Sequence, residues 1–198
     1  MNIDKFEFIK SKYQYWSSWA VWAEEGDRPK SNVGDLSVLD PKINLKLLEI
    51  LNPNIVLVAL NISRGDITQP FANFHDSRPE ATDFKIRYAT KNTILWGSYM
   101  TDIIKDFEEK VSGKVRSFLK DNQDFEKENI DFFLNELSEI GAINPTLIAF
   151  GNDAYDILQR NLKEEFNILK IPHYAVQYGK EKYRKQVVEM LGSLTLVE

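Results

Sequence analysis

The stretch that decides the fold is residues 55–66, which read IVLVALNISRGD. Its first six residues are apolar and mostly β-branched or leucine. An unbroken apolar run of this length is typical of a strand buried on both faces, as in the middle of a parallel sheet. The sequence turns polar at Asn61, and ligands of open α/β sheets bind just beyond the carboxyl ends of the strands. We therefore expect the functional site to begin at residues 61–66.

The bulk composition is that of a globular protein with a substantial core. The chain has 198 residues, of which 43% are hydrophobic and 28% are charged, and this length suits one domain. No apolar run approaches the roughly 20 residues that span a bilayer. Residues 1–5, MNIDK, lack the basic-then-apolar layout of a signal peptide. We expect a single domain over residues 1–198, a cytoplasmic location and no membrane partner.

The residue types that are scarce limit the chemistry. The chain has no cysteine, which excludes disulfides and cysteine-ligated zinc or iron–sulfur sites. It has two histidines, His75 and His173, so we expect no histidine-rich metal site and no cofactor. The net charge of −5 argues against non-specific coating of DNA, which needs many phosphate contacts. A local basic groove remains compatible with that charge.

The first 40 residues are expected to form an aromatic helix and a loop that pack on the domain. Apolar residues recur at helical spacing over residues 3–23, and this pattern predicts one helix. Its tryptophans, Trp16, Trp19 and Trp22, are three residues apart and suit either core packing or stacking on a ligand. Core packing is the expected role. Residues 24–40 are polar and predict a loop.

Strand and helix patterns alternate along the rest of the chain. Helices are predicted over residues 43–51, 83–92, 122–140, 153–162 and 179–191, and strands over 55–60, 146–150 and 168–172, with short strands or one interrupted strand over 93–104. This alternation predicts an α/β fold of three layers, α/β/α, with a mainly parallel central sheet. The ends of three strands, at Asn61, Gly151-Asn152 and His173, would then meet at one edge.

Several segments, in this order, resemble the uracil-DNA glycosylase superfamily over about residues 50–192. The nearest likeness is to the mismatch-specific uracil/thymine-DNA glycosylase branch. Residues 59–63, ALNIS, resemble the G-I-N-P-G motif of that branch, with the asparagine kept but the proline and both glycines absent. Residues 71–74, FANF, resemble its Phe-Ala-x-Pro segment.

Three further segments extend this resemblance. Residues 100–105, MTDIIK, resemble a superfamily strand that reads I-T-N or I-T-D and then L-V. Residues 145–155, PTLIAFGNDAY, are similar to its strand–glycine–helix unit. Residues 172–175, PHYA, are a partial match to its H-P-S signature, without the Pro-Ser that follows the histidine.

The resemblance implies a monofunctional DNA glycosylase, which hydrolyses the N-glycosidic bond of a damaged or mismatched base flipped out of single- or double-stranded DNA. Asn61 would position the attacking water, and its alternative role is to bond its own turn. His173 would donate a hydrogen bond to the base carbonyl, and its alternative is a structural role. Phe71 or Phe74 would stack on the base, and the alternative is a plug over the core.

The resemblance also implies a reading residue and a set of backbone contacts. Asp102 would face the base, and an ionised aspartate only accepts hydrogen bonds, so a base with an exocyclic amine suits it better than uracil. The residues expected to contact the DNA backbone are Ser63, Arg64, Lys180, Lys182 and Arg184. For the last three, a solvated helix face is the alternative.

Two other functions compete with a glycosylase. One is a non-catalytic module on the same fold that binds nucleic acid or a protein partner, which the lost glycines and proline near Asn61 and the incomplete motif at His173 favour. The other is an unrelated α/β enzyme that acts on a free nucleotide or nucleoside, for which the net negative charge is no obstacle.

Overall fold

The protein has an α/β fold around a five-stranded, mostly parallel sheet. The computed structural model describes residues 1–62, 67–105 and 107–194. Within those ranges, no helix combines the length and apolarity needed to cross a membrane. The elements in chain order are α1 (Ile3–Tyr13), β1 (Ser17–Trp19), a short 3₁₀ helix (Leu36–Leu39), α2 (Leu47–Ile50), β2 (Asn52–Asn61), α3 (Phe84–Thr90), β3 (Ser98–Ile104), α4 (Ser112–Asp121), α5 (Gln123–Glu139), β4 (Thr146–Phe150), α6 (Gly151–Leu162), β5 (Asn167–Ile171) and α7 (Lys180–Leu194).

The strands lie in the order β1-β3-β2-β4-β5, with β2 at the centre. Strands β2 to β5 are parallel, and β1 is antiparallel to β3. From β2 the chain moves to β3 on one side and then crosses back to β4 on the other. Such a reversal leaves a crevice at the carboxyl ends of the two flanking strands, which is where open α/β sheets bind ligands. Here that crevice lies at the ends of β2 and β4.

Helices cover both faces of the sheet, which is why β2 is apolar throughout its centre. Val56 and Val58 belong to the core on one face, with residues of α1, α4, α5 and α6. Leu57 and Ala59 belong to the core on the other face, with residues of α3 and α7. The predicted α/β class and mainly parallel sheet are confirmed.

The predicted helix over residues 3–23 is wrong beyond Tyr13. Residues 17–19 form β1 instead, because they pair with residues 99–101 of β3, and the rings of Trp19 and Tyr99 lie 4.9 Å apart. Trp19 and Trp22 are buried in the core, as expected. Phe6 and Ile9 of α1 are also fully buried, so the N-terminal segment packs on the domain.

Two other segments differ from their predicted structure. The helix predicted over residues 43–51 is helical only at Leu47–Ile50, because Asp40 caps a turn instead, accepting a hydrogen bond from the Lys42 amide at 2.8 Å. In the segment 93–104, the strand begins after Gly97, which has a φ of +86°. A Cβ there would lie 2.0 Å from the Ile50 carbonyl oxygen, so only glycine fits.

Candidate functional site

A cavity of about 560 Å³ opens at the carboxyl ends of β2 and β4, in the crevice that the strand order creates. Its volume lies within the range of small-molecule sites, about 300–1,000 Å³. The lining residues come from the end of β2, the loops before α3 and α4, the start of α6 and the turn after β5. Asn61, Phe74 and His173 all line this cavity, so the structure brings together three of the residues singled out in the sequence.

Asn61 is fixed in place by the loop that follows β3. Its side-chain Nδ2 donates to the carbonyl oxygens of Phe107 and Glu109, both at 2.9 Å, and to that of Ile62 at 3.0 Å. Among the residues that the structure describes, none donates a hydrogen bond to Asn61 Oδ1. The amide therefore offers an oriented acceptor at the cavity wall, and the bond to Ile62 shows that it also ties down its own turn.

His173 also lines the cavity, in the turn after β5. Its Nδ1 accepts a hydrogen bond from the Ala175 amide at 3.1 Å, so in the neutral ring the proton sits on Nε2. Burial lowers the pKa of His173, with nearby Asp153 opposing that shift. The ring stacks on Tyr174 with centroids 4.3 Å apart. His173 is thus a neutral imidazole with an Nε2–H donor.

Gly151 explains how α6 approaches this histidine so closely. It begins α6 with a φ of +83°, in the left-handed region that favours glycine. A Cβ at this position would lie 3.2 Å from His173 Cβ, so a larger residue would displace the turn that carries the imidazole. The glycine after β4 therefore sets the position of His173.

The two phenylalanines of residues 71–74 are both buried, but only Phe74 also lines the cavity. Phe74 lines the cavity, and its ring lies 6.4 Å from that of Phe150, which in turn meets Tyr174 edge-on at 5.2 Å. Phe71 is buried in the core against Phe6, with ring centroids 5.7 Å apart, and does not line the cavity. Both have a positive φ, 61° and 67°, which is strained for a bulky residue and is often found at functional sites.

Asp102 does not face the cavity directly. It is 2% exposed, and its Oδ2 accepts a hydrogen bond at 2.8 Å from Asn73 Nδ2, whereas Asn73 does line the cavity. Burial raises the pKa of Asp102 to about 7, although the bond from Asn73 and the charge of Lys105 lower it. The predicted direct contact between Asp102 and a base therefore needs correction, because Asn73 stands between them.

The described lining of the cavity is predominantly acidic. It includes five carboxylates and two basic side chains: Asp76, Glu80, Asp83, Glu109, Asp153, Arg78 and Lys110. Three of these carboxylates are ion-paired: Asp76 with Arg78 at 2.7 Å, Glu109 with Lys114 at 3.2 Å and Asp153 with Arg116 at 3.2 Å. In the part of the chain that the structure describes, no three histidine or acidic side chains are grouped so that they could hold a metal ion.

The residues predicted to contact a DNA backbone lie apart from this cavity or outside the described ranges. Ser63 and Arg64 fall outside the described residues. Arg184 Nη1 donates to the backbone carbonyls of Tyr88, Ala89 and Lys91 and so caps the end of α3.

The two lysines of this cluster differ in their surroundings. Lys180 pairs with Glu25 at 2.8 Å and lies over the Tyr88 ring. Lys182 is exposed and lies over the Tyr178 ring, 4.8 Å from its centroid. Of Lys180, Lys182 and Arg184, Lys182 is therefore the one most open to solvent, and phosphate contact stays a prediction for all three.

A second, larger groove carries no residue singled out in the sequence. It has a volume of about 700 Å³ and is lined by residues of α4, α5 and α6. Its charged side chains pair with one another, as Arg160 does with Glu126 and Arg116 does with Asp153 at 3.2 Å. None of Asn61, Phe74 and His173 lines this groove, so the cavity at the ends of β2 and β4 is the better candidate site.

Sequence reasoning missed several members of the cavity wall, among them Asn73, Phe150 and Tyr174. Phe150 was recognised only as part of a strand, and Asn73 lies within a segment where the phenylalanines drew attention. The other histidine, His75, is not in the wall but is buried against Trp22, with ring centroids 4.9 Å apart. Comparisons with protein-family models, curated proteins and solved structures find no match.

Proposed function

We propose that the cavity binds a nucleobase and that the protein hydrolyses the N-glycosidic bond between a damaged or mismatched base and the deoxyribose of DNA. The observation that carries the proposal is that Asn61, Phe74 and His173 line one cavity. These are the residues to which the resemblance to uracil-DNA glycosylases assigns a water, a stacked base and a leaving group. The lysines and arginine of α7 play no part in this argument.

The reaction needs two kinds of help from the protein. The bond from C1′ to the base nitrogen breaks, its electron pair leaves with the base, and the oxygen of a water molecule bonds to C1′. The proton released by the water ends on the departing base. The sugar passes through an oxocarbenium-like state, so the protein must place the water and stabilise negative charge on the base.

The side chains of the cavity match these needs. Asn61 Oδ1 accepts a hydrogen bond from the water and orients it, and because an amide is neutral it does not act as a strong base. His173 donates from Nε2 to an acceptor atom of the base, a carbonyl oxygen or a ring nitrogen, as charge develops there. Its lowered pKa keeps the imidazole neutral at pH 7, so it acts as a hydrogen-bond donor and not as a cation.

The aromatic wall favours an extruded base as the ligand. The Phe74 ring, supported by Phe150 and Tyr174, provides a face on which a base can stack. The same aromatic wall also suits the base of a free nucleoside, so hydrolysis of a free nucleoside is a second candidate.

The test is cleavage of defined strands. Oligonucleotides carrying uracil, hypoxanthine or a mismatched base are incubated with the protein, and alkali then breaks the strand at any abasic site. Asn61→Ala and His173→Ala are each expected to slow cleavage about 100-fold or more, the usual contribution of a positioned donor or water-orienting group. Asn167→Ala, an exposed asparagine on β5, is the matched control and is expected to keep the wild-type rate.

Three other outcomes would contradict the proposal in different ways. Full activity in both cavity variants would remove Asn61 and His173 from the mechanism. Salt-sensitive DNA binding without strand breaks would indicate the non-catalytic binding module. Release of base from free nucleosides but not from DNA would indicate the second candidate.

A further inference from the structure

Asn73 is held so that its amide can offer a ligand only an acceptor. Its Nδ2 donates to Asp102 Oδ2 at 2.8 Å and to the Trp16 carbonyl oxygen at 2.9 Å, which uses both amide hydrogens. Within the described ranges, no residue donates a hydrogen bond to Asn73 Oδ1. Asn73 also lines the cavity, so this oxygen is the hydrogen-bonding atom that its side chain has left for a ligand.

We propose that Asn73 selects bases that carry an exocyclic amine, and that Asp102 is the positioning residue that fixes Asn73 for this purpose. This inference rests on the proposed function, since it names the class of base that the same cavity takes. Cytosine, adenine and damaged derivatives that keep the amine belong to this class, whereas uracil and hypoxanthine carry a carbonyl at the equivalent position.

The orientation of Asn73 is locked by its two partners. If the amide turned over, Oδ1 would face the Asp102 carboxylate and the Trp16 carbonyl, which are both acceptors. Two hydrogen bonds would be lost and two repulsive contacts would replace them. Asn73 therefore cannot turn its NH₂ group towards the cavity to suit a base carbonyl.

An acceptor fixed in this way discriminates between amine and carbonyl bases. An exocyclic amine projects from the edge of the ring and can donate to Asn73 Oδ1 directly. The ring N–H of uracil lies between two carbonyl oxygens, so an acceptor that approaches it meets two further acceptors. Loss of one good hydrogen bond at a desolvated site corresponds to roughly 10-fold or more in rate or affinity.

Asp102 can be tested apart from Asn73 because asparagine is its conservative replacement. Asp102→Asn keeps a carbonyl oxygen that can accept from Asn73 Nδ2 in the same place, so amine preference should survive. Asp102→Leu removes the acceptor and releases the amide of Asn73 to turn. A purely structural role for Asp102 would change the rates for all bases equally and would leave the preference unaltered.

The experiment compares rates for matched bases in single-stranded oligonucleotides, where base pairing does not contribute. At pH 8, single-turnover cleavage is measured for cytosine against uracil and for adenine against hypoxanthine, in the same sequence. The wild type is expected to favour the amine of each pair about 10-fold or more. Asn73→Ala and Asp102→Leu are expected to reduce this ratio towards one, whereas Asp102→Asn and the remote control Asn167→Ala keep it.

The possible failures separate this inference from the proposed function. Equal or faster cleavage of uracil and hypoxanthine by the wild type would overturn the amine preference and leave the glycosylase proposal standing. A ratio that stays unchanged in Asn73→Ala would also overturn it. If Asp102→Leu does not fold, the Asn73→Ala and Asp102→Asn ratios still decide the outcome. Absence of cleavage for all four bases would overturn both proposals.

Discussion

Replacing Asp102 by asparagine is expected to make the protein relatively more stable as the pH rises. The carboxyl is 2% exposed on β3, and burial raises its pKa to about 7 despite the hydrogen bond from Asn73. A buried group with a raised pKa prefers to be protonated, so its ionisation works against the folded state. Asparagine has nearly the same shape but no charge to bury.

The sign and size of the effect follow from the two pKa values of Asp102. In the unfolded chain the carboxyl loses its proton near its ordinary pKa of 3.8, and in the folded protein near 7. Between these pH values the folded state holds the proton and the unfolded state does not, so the free energy of unfolding falls as the pH rises. Each pKa unit is worth about 1.4 kcal/mol, so the total loss is roughly 4 kcal/mol by pH 8.

Urea unfolding, followed by the fluorescence of the four tryptophans, measures this effect between pH 4.5 and 8 at constant ionic strength. The stability of Asp102→Asn relative to wild type is expected to rise across this range and to level off above pH 7. His75→Leu serves as the opposite control, because burial lowers the pKa of His75 to about 4. The stability that neutral His75 contributes is lost as the pH falls from 6.5 to 4. The free energy of unfolding of the His75→Leu variant, relative to wild type, should therefore increase as the pH falls. A pH-independent difference for Asp102→Asn, or one with the opposite slope, would refute the reasoning.

Three further predictions concern packing and charge. Phe71→Ala is expected to lower the free energy of unfolding in urea by about 3–5 kcal/mol, because the ring is buried against the core. The same change at Phe74, which is also buried, should destabilise the fold as well and should in addition weaken base binding by roughly 10-fold, as measured by titration with an abasic and a base-containing strand. Arg184→Met removes the side chain that caps α3 and should cost about 1–3 kcal/mol in the same unfolding assay. Lys105→Met leaves the buried carboxylate of Glu136, 2.8 Å from the lysine, without its positive partner, and should lower the free energy of unfolding by about 3–5 kcal/mol. Adding Glu136→Gln should recover most of that loss. A stable Lys105→Met protein would contradict the importance of this ion pair.

The central elements of the fold could be predicted from sequence because their patterns are local. The apolar runs in β2 and β4 and the helical periodicity of α5 need no knowledge of distant residues. β1 could not be predicted in this way, because three residues are too few to show an alternating pattern. Ser17 and Trp19 are held as a strand only by pairing with β3, which lies some 80 residues later in the chain.

The same distinction applies to the candidate site. Asn61 ends β2 and His173 lies just beyond β5, and these strands are parallel, so their approach to one edge could be expected from the sequence. The orientation of Asn73 could not be expected from the sequence, because its two hydrogen-bond partners are 57 and 29 residues away in the chain. Asp102 was recognised by its motif, but its distance from the cavity depends on the loop that places Asn73 in front of it.

The pairing of β1 with β3 also has a consequence for synthesis on the ribosome. β1 touches no strand except β3 among the described residues, and β3 pairs in turn with the central strand β2. At about 5–20 residues per second, the 80 residues between Trp19 and its partner Tyr99 take roughly 4–16 s to emerge. During that interval the nascent chain exposes the tryptophans of its first segment without their partner strand. The start of this chain is therefore the part for which a chaperone that binds aromatic segments would matter most.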